Sequence, residues 1–282
     1  MRGWLGRYRR KNPGATLGHI LWWDLVCHPI AWLIVFVLYR HRWWNIHNIP
    51  AEGPTLLVCN HQSYLDLPVL GVGIYHRHFH PMARKTLFRN PVFGRLIRSL
   101  NAFEVDQESA DIRSVRTAID KLKAGHLVLL FPEGARTEDG RMGPFNPGLM
   151  LLIRRARPTV VPMAVDGVYD AWPINRKWPR LSGATGAEYG EPIPAKDLIA
   201  MPPEEARKLL RHRVETLRLS VRQRLRRRTR GRYPLPGQAD HYTADPTDAG
   251  ADDDARTGTK APAQADPPAD AATAPADSKA DA

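Results

Sequence analysis

The sequence predicts an α/β fold: a mostly parallel sheet flanked by helices, with an N-terminal membrane-associated helical segment and a disordered C-terminal tail. Three observations predict it. Strand-like runs at residues 55–59, 79–83, 127–131 and 159–165 alternate with stretches of helical periodicity, the pattern of βαβ units. A long apolar stretch with tryptophans and basic flanks precedes them. The final stretch is rich in Ala, Pro and Asp and nearly free of large apolar side chains. It cannot bury enough surface to offset its ordering entropy.

The 282 residues suit one compact domain with appendages. The expected division is a membrane-associated segment at 1–44, an α/β domain at 45–200, a basic amphipathic helix at 201–232 and the acidic tail at 233–282. The net charge of +12 is unevenly spread: residues 237–282 hold ten Asp and three cations, which leaves +19 on the remainder. So basic a body favours anionic partners, whether phosphates, lipid headgroups or nucleic acid. Cys27 and Cys59 sit in apolar surroundings and read as small core residues, with no disulfide framework or zinc set.

Residues 17–39 are the main apolar stretch, with 18 of 23 apolar, but Asp24, His28 and Pro29 interrupt it. The uninterrupted part, 30–39, falls short of the roughly 20 residues a spanning helix needs. Trp22, Trp23, Trp32, Trp43 and Trp44 are of the type that favours headgroups. Arg2, Arg7, Arg9, Arg10 and Lys11 flank one side and Arg40 and Arg42 the other. A re-entrant or interfacial helical pair, a single span, and a core helix or signal peptide are the readings left open. The expected location is the cytoplasmic face of the cell membrane, peripheral or monotopic, with a single span possible.

Residues 41–54 read as a linker. A buried strand at 55–59 leads to a helix from Tyr64 to about Tyr75, with Asp66 in its first turn. His76, His78 and His80 alternate along a polar connection and read as solvated surface rather than a metal site. The second strand follows at 79–83. A helix at 91–100 opens on Pro91. The next helix, 109–124, is amphipathic through Ile112, Val115, Ile119 and Leu122, and Gly125 ends it. Strands at 127–131 and 159–165 enclose a helix at 147–156. A long helix from Glu204 to about Arg228 carries a stripe of Leu210, Val214, Leu217, Val221 and Leu225 among many arginines. Core packing and attraction to anionic lipid both account for it.

The chemistry lies just after two of the strands, where a parallel sheet places its reactive crevice. In Asn60-His61-Gln62-Ser63-Tyr64-Leu65-Asp66, four residues separate His61 from Asp66. An imidazole titrates near neutral pH and can take a proton from an alcohol. A carboxylate behind it fixes the tautomer and stabilises the imidazolium. The second block, Phe131-Pro132-Glu133-Gly134-Ala135-Arg136-Thr137, follows the strand at 127–131 and supplies a guanidinium suited to bidentate phosphate binding.

These blocks resemble the 1-acylglycerol-3-phosphate O-acyltransferase (lysophosphatidate acyltransferase) family of glycerolipid acyltransferases. Asn60, His61 and Asp66 match its first block, and Phe131 to Thr137 its third, with Phe145 and Gly148 following. Lys85 with Pro91-Val92-Phe93-Gly94 resembles the second, and Val160-Val161-Pro162 the fourth. The likeness covers roughly residues 45 to 195. Thr86 stands where the family usually has Glu, and Gln107 where a basic residue is common.

The resemblance implies the acyltransferase α/β architecture and acyl transfer from acyl-CoA or acyl carrier protein to the hydroxyl of 1-acylglycerol-3-phosphate. His61 is the expected base and Asp66 its partner. The expected acceptor-binding residues are Glu133, Gly134, Arg136, Thr137 and Lys85. Arg136 grips phosphate, Thr137 adds a hydroxyl donor, Glu133 orients Arg136 or the acceptor, Gly134 admits the ligand, and Lys85 adds positive potential. Donors for the oxyanion are sought near Gly134 or at the helix start after His61. The expected partners are a lysophospholipid acceptor, an acyl thioester donor and an anionic membrane surface, with no nucleic acid, cofactor or metal. The rivals are another lysolipid acceptor and a non-catalytic protein that binds anionic membranes or nucleic acid.

Overall fold

An apolar strand buried on both faces needs helices above and below it, and the centre of this sheet is built that way. Leu57 and Cys59 of β2 (Thr55–Cys59) enter one core layer with Val69, Leu70, Val35 and Tyr39. Leu56 and Val58 enter the opposite layer with Ala118, Leu122, Leu149 and Val214. This two-sided burial explains the unbroken apolar run in the sequence.

The structure, a computed structural model, describes residues 8–74, 77–105 and 112–242. These fall in one unit, Met1–Asp245. Tyr75, His76, Asp106, Gln107, the start of the 109–124 helix and residues 243–282 of the acidic tail lie outside the described residues, while 233–242 are ordered, with a 3-10 turn at Gln238–Asp240 and Ala239 buried.

After α1 (Leu17–Leu21), a π-helical turn at Trp22–Cys27 and α2 (His28–Tyr39) come β1 (Arg42–Trp44) and β2. Next are α3 (Asp66–Gly73), β3 (Phe79–Arg84), α4 (Pro91–Ser99), β4 (Phe103–Val105), α5 (Ile112–Lys123) and β5 (Leu127–Leu130). The remainder is α6 (Gly148–Ala156), β6 (Thr159–Asp166), α7 (Val168–Ala171), β7 (Gly186–Tyr189), β8 (Ile193–Pro194), α8 (Ala195–Ile199) and α9 (Pro203–Thr229). The sheet order is β1-β7-β6-β2-β5-β3-β4, with β8 also on β6. β7 and β8 run antiparallel to β6, and the other pairings are parallel.

The register positions the two motif loops. Val58 of β2 pairs with Leu130 of β5, so His61 and Glu133 each stand three residues beyond a matched pair. Pro81 of β3 pairs with Leu129, which brings Lys85 to the same edge.

Residues 41–54 are not wholly a linker, because Arg42–Trp44 pairs with β7. The strand also accounts for two tryptophans by packing: Trp43 meets Phe36 at 5.4 Å, and Arg224 lies 5.2 Å over Trp44. Trp23 is buried and stacks on His78. Of the five, Trp22 and Trp32 remain exposed, beside Leu17, Leu25, Ile30, Leu33 and Val37. Trp22–Tyr39 is 18 residues of helix, apolar and long enough to cross a membrane, and 11% of it is buried. Asp24 does not sit alone in that apolar surface. It accepts from the Tyr8 hydroxyl at 2.8 Å, and its other oxygen lies 3.6 Å from His78 Nε2.

Leu210, Val214, Val221 and Leu225 of the stripe on α9 are buried and Leu217 partly so, chiefly against β6 and β7. Arg218 and Arg222 are buried with it and reach Asp166 at 3.1 and 2.8 Å. Of the two readings of α9, the apolar face therefore serves the core, while Arg213, Arg227 and Arg228 stay exposed.

Candidate active site

His61 leaves β2 at the carboxyl edge because Asn60 fixes the chain there. The Asn60 amide accepts from Val165 N–H at 2.9 Å and donates to Val165 C=O at 3.0 Å, which docks it on β6. The His61 ring stacks on Phe131, 4.1 Å between centroids at 14°. Its Nδ1 lies 2.6 Å from Asp66 Oδ2. That same oxygen accepts the backbone N–H groups of Gln62 at 2.8 Å and Ser63 at 3.0 Å. Asp66 is fully buried, whereas the His61 side chain is 23% exposed. A rigid acceptor thus holds Nδ1, leaving Nε2 as the edge that can meet a hydroxyl.

The second loop is tied to the first by main-chain contacts. Thr137 N–H donates to His61 C=O at 3.0 Å. His61 N–H donates to Glu133 Oε1 at 2.7 Å, and Gly143 N–H donates to Glu133 Oε2 at 2.7 Å. Both oxygens of Glu133 are therefore engaged by backbone. It acts as a strut between the two loops. Burial pushes its carboxyl up to about 8, against the two backbone hydrogen bonds and Arg211, which lower it.

The Arg136 guanidinium lies 3.4 Å over the Tyr64 ring. Its Nη1 is buried, with no hydrogen-bond partner among the described residues. Tyr64 in turn packs against Trp172 at 5.1 Å. Together with Ile174, Asn175, Arg176 and Lys177 they line a groove of about 550 Å³. Gly134 adopts φ +74°, which closes the turn from Phe131 and leaves open space where a side chain would stand.

Several of the expected donors are engaged within the protein. The Thr137 hydroxyl folds its own loop, donating to Asp139 and accepting from Gly140 N–H at 3.0 Å, so it is not directed at phosphate. The N–H groups of Gln62 and Ser63 serve Asp66, and Gly134 N–H serves Phe131 C=O. Lys85 begins an exposed turn after β3, and its neighbour Arg84 donates to Gly134 C=O at 3.4 Å. Tyr64 and Trp172 carry no motif signal beyond their aromatic character. Among the described residues, no three His, Cys, Asp or Glu side chains are placed to hold a metal ion.

Comparison with known proteins agrees with this geometry. The family model described as Acyltransferase matches residues 40–166. The 1-acyl-sn-glycerol-3-phosphate acyltransferase of Bacillus subtilis is 32% identical over 162 residues, 57% of this chain and 78% of that protein. This chain belongs to the 1-acylglycerol-3-phosphate O-acyltransferase family. It is an acyltransferase. The chloroplastic enzyme BAT2 of Brassica napus is 26% identical over 51% of this chain, and the match spans 42% of that longer protein. The crystal structure of PlsC, the 1-acyl-sn-glycerophosphate acyltransferase of Thermotoga maritima, superposes with a TM-score of 0.59 at 25% identity, covering 74% of this chain and 80% of that one. His61 and Arg136 therefore stand on the two loops at the sheet edge, with Asp66 at the start of α3.

Proposed function

We propose that this acyltransferase moves a fatty acyl group from a thioester donor to the free hydroxyl of 1-acylglycerol-3-phosphate, giving phosphatidic acid. One observation carries the reading: an imidazole backed by a buried carboxylate at 2.6 Å stands on a loop whose main chain is bonded to the loop of Arg136. The unmet Nη1 donor of Arg136 supports a phosphate there, since buried donors are normally satisfied. The Bacillus and Thermotoga relatives are named for the same acceptor.

His61 Nε2 removes the hydroxyl proton as the oxygen attacks the thioester carbonyl. The tetrahedral intermediate collapses, the C–S bond breaks, and the thiolate takes the proton back from the imidazolium. Asp66 stabilises that cation. No covalent nucleophile or cofactor takes part, because the thioester is already activated. The Ser63 hydroxyl donates to Trp172 C=O at 2.7 Å, which commits it to the fold. The exposed apolar face of Trp22–Tyr39 supports seating in a membrane leaflet, from which a lysolipid acceptor would be drawn.

The deciding experiment is a transfer assay with purified protein that crosses two donors, acyl-CoA and acyl carrier protein, with three acceptors. Lysophosphatidate should be preferred over lysophosphatidylcholine and monoacylglycerol. Equal use of monoacylglycerol would refute the phosphate role of Arg136.

A further inference from the structure

We infer that Arg211 is a positioning residue for His61, acting through Gly143 and Glu133. The inference rests on His61 being the base. Arg211 lies on α9, outside the segment 40–166 that the family model matches. It is buried, and its Nε and Nη2 donate to the carbonyls of Gly143 at 3.1 Å and Met142 at 3.0 Å. Arg207, one turn earlier, donates to Phe145 C=O at 2.7 Å. The two guanidiniums thus fix three carbonyls of one short loop.

That loop holds the strut. Gly143 offers its C=O to Arg211 and its N–H to Glu133 Oε2, and the other Glu133 oxygen receives His61 N–H. The approach is close: a Cβ on Gly143 would stand 3.3 Å from Glu133 Oε2, and the carboxylate would have to give by a few tenths of an ångström. Charge travels the same route. The groups around Glu133 are Asp66 on α3, which raises its carboxyl, the Cys59 thiol on β2, and Arg211 on α9, which lowers it. A protonated Glu133 would turn a hydrogen toward one of two N–H donors and release one end of the strut. Arg211 therefore acts twice: it holds the loop in place and favours the carboxylate that carries the His61 main chain.

The test is the pH profile of acyl transfer to lysophosphatidate by full-length wild type, Arg211→Gln and Arg211→Lys, with the exposed Arg213→Gln on the same helix as control. Arg211→Gln should lower kcat by roughly 10- to 100-fold, as misplaced catalytic groups do, and leave the acceptor KM within about threefold. Its acid limb should move up by about half a pH unit or more, because the lost cation favours protonated Glu133. Arg211→Lys keeps the charge and loses the fork, so its kcat should fall with no limb shift. A folded Arg211→Gln enzyme with wild-type kcat and acid limb overturns the inference. Should that variant not fold, an Arg211→Lys enzyme with wild-type kcat does so. Wild-type protein inactive on lysophosphatidate would instead refute the proposed function.

Discussion

Glu133 Oε1 lies 2.7 Å from the backbone nitrogen of His61, so one motif's carboxylate carries the other motif's main chain across 72 positions of sequence. The carboxyl is pushed by burial up to about 8, far above the ordinary value of about 4.3. Below that pH the protonated form dominates and one oxygen no longer accepts cleanly. Above it both oxygens accept. Turnover should therefore rise as pH increases through about 8. In Glu133→Gln that rise should vanish, and kcat should drop. A steady-state pH profile of both proteins checks this.

Asp66 Oδ2 accepts three hydrogen bonds, from His61 Nδ1 and the N–H groups of Gln62 and Ser63. Asp66→Asn keeps the volume but removes the charge that stabilises the imidazolium. A loss of kcat of roughly 10²–10⁴-fold is expected, in line with other carboxylate-backed imidazoles. Single-turnover kinetics with the thioester in excess separate this loss from weaker donor binding.

Tyr64 holds Arg136 from below its guanidinium plane. A cation–π contact of this kind contributes about 0.5–2 kcal/mol. Tyr64→Leu should raise the lysophosphatidate KM by roughly 2- to 30-fold with little change in donor KM. Tyr64→Phe should stay near wild type, because the ring face is kept. KM values for both substrates in the two variants measure it.

The exposed residues of the N-terminal helix, Leu25 at 67%, Leu33 at 57% and Val37 at 64%, form an apolar face. Replacing Leu25 and Leu33 together by Glu places two charges where burial in lipid is expected. Sedimentation with anionic vesicles should show the variant in the supernatant and wild type in the pellet.

The central strands were legible because burial on both faces leaves an unbroken apolar run, as in β2. The short strands β1, β4, β7 and β8 were not, since two to four residues carry no period. His61 and Asp66 were legible as a local pair closed by one turn. The role of Glu133 was not, because its partners are main-chain atoms of His61 and Gly143, which have no sequence signature. The arginines of α9 looked like a solvated face. Arg211, Arg218 and Arg222 are buried because carbonyls and Asp166, distant in sequence, receive them.

The most direct measurement is acyl transfer to lysophosphatidate by His61→Ala, with circular dichroism and vesicle binding matched to wild type. Loss of transfer by roughly 10³-fold or more is the predicted result, as expected when a base and its carboxylate partner cease to act. Turnover near the wild-type rate from that folded, membrane-bound variant would contradict His61 as the base.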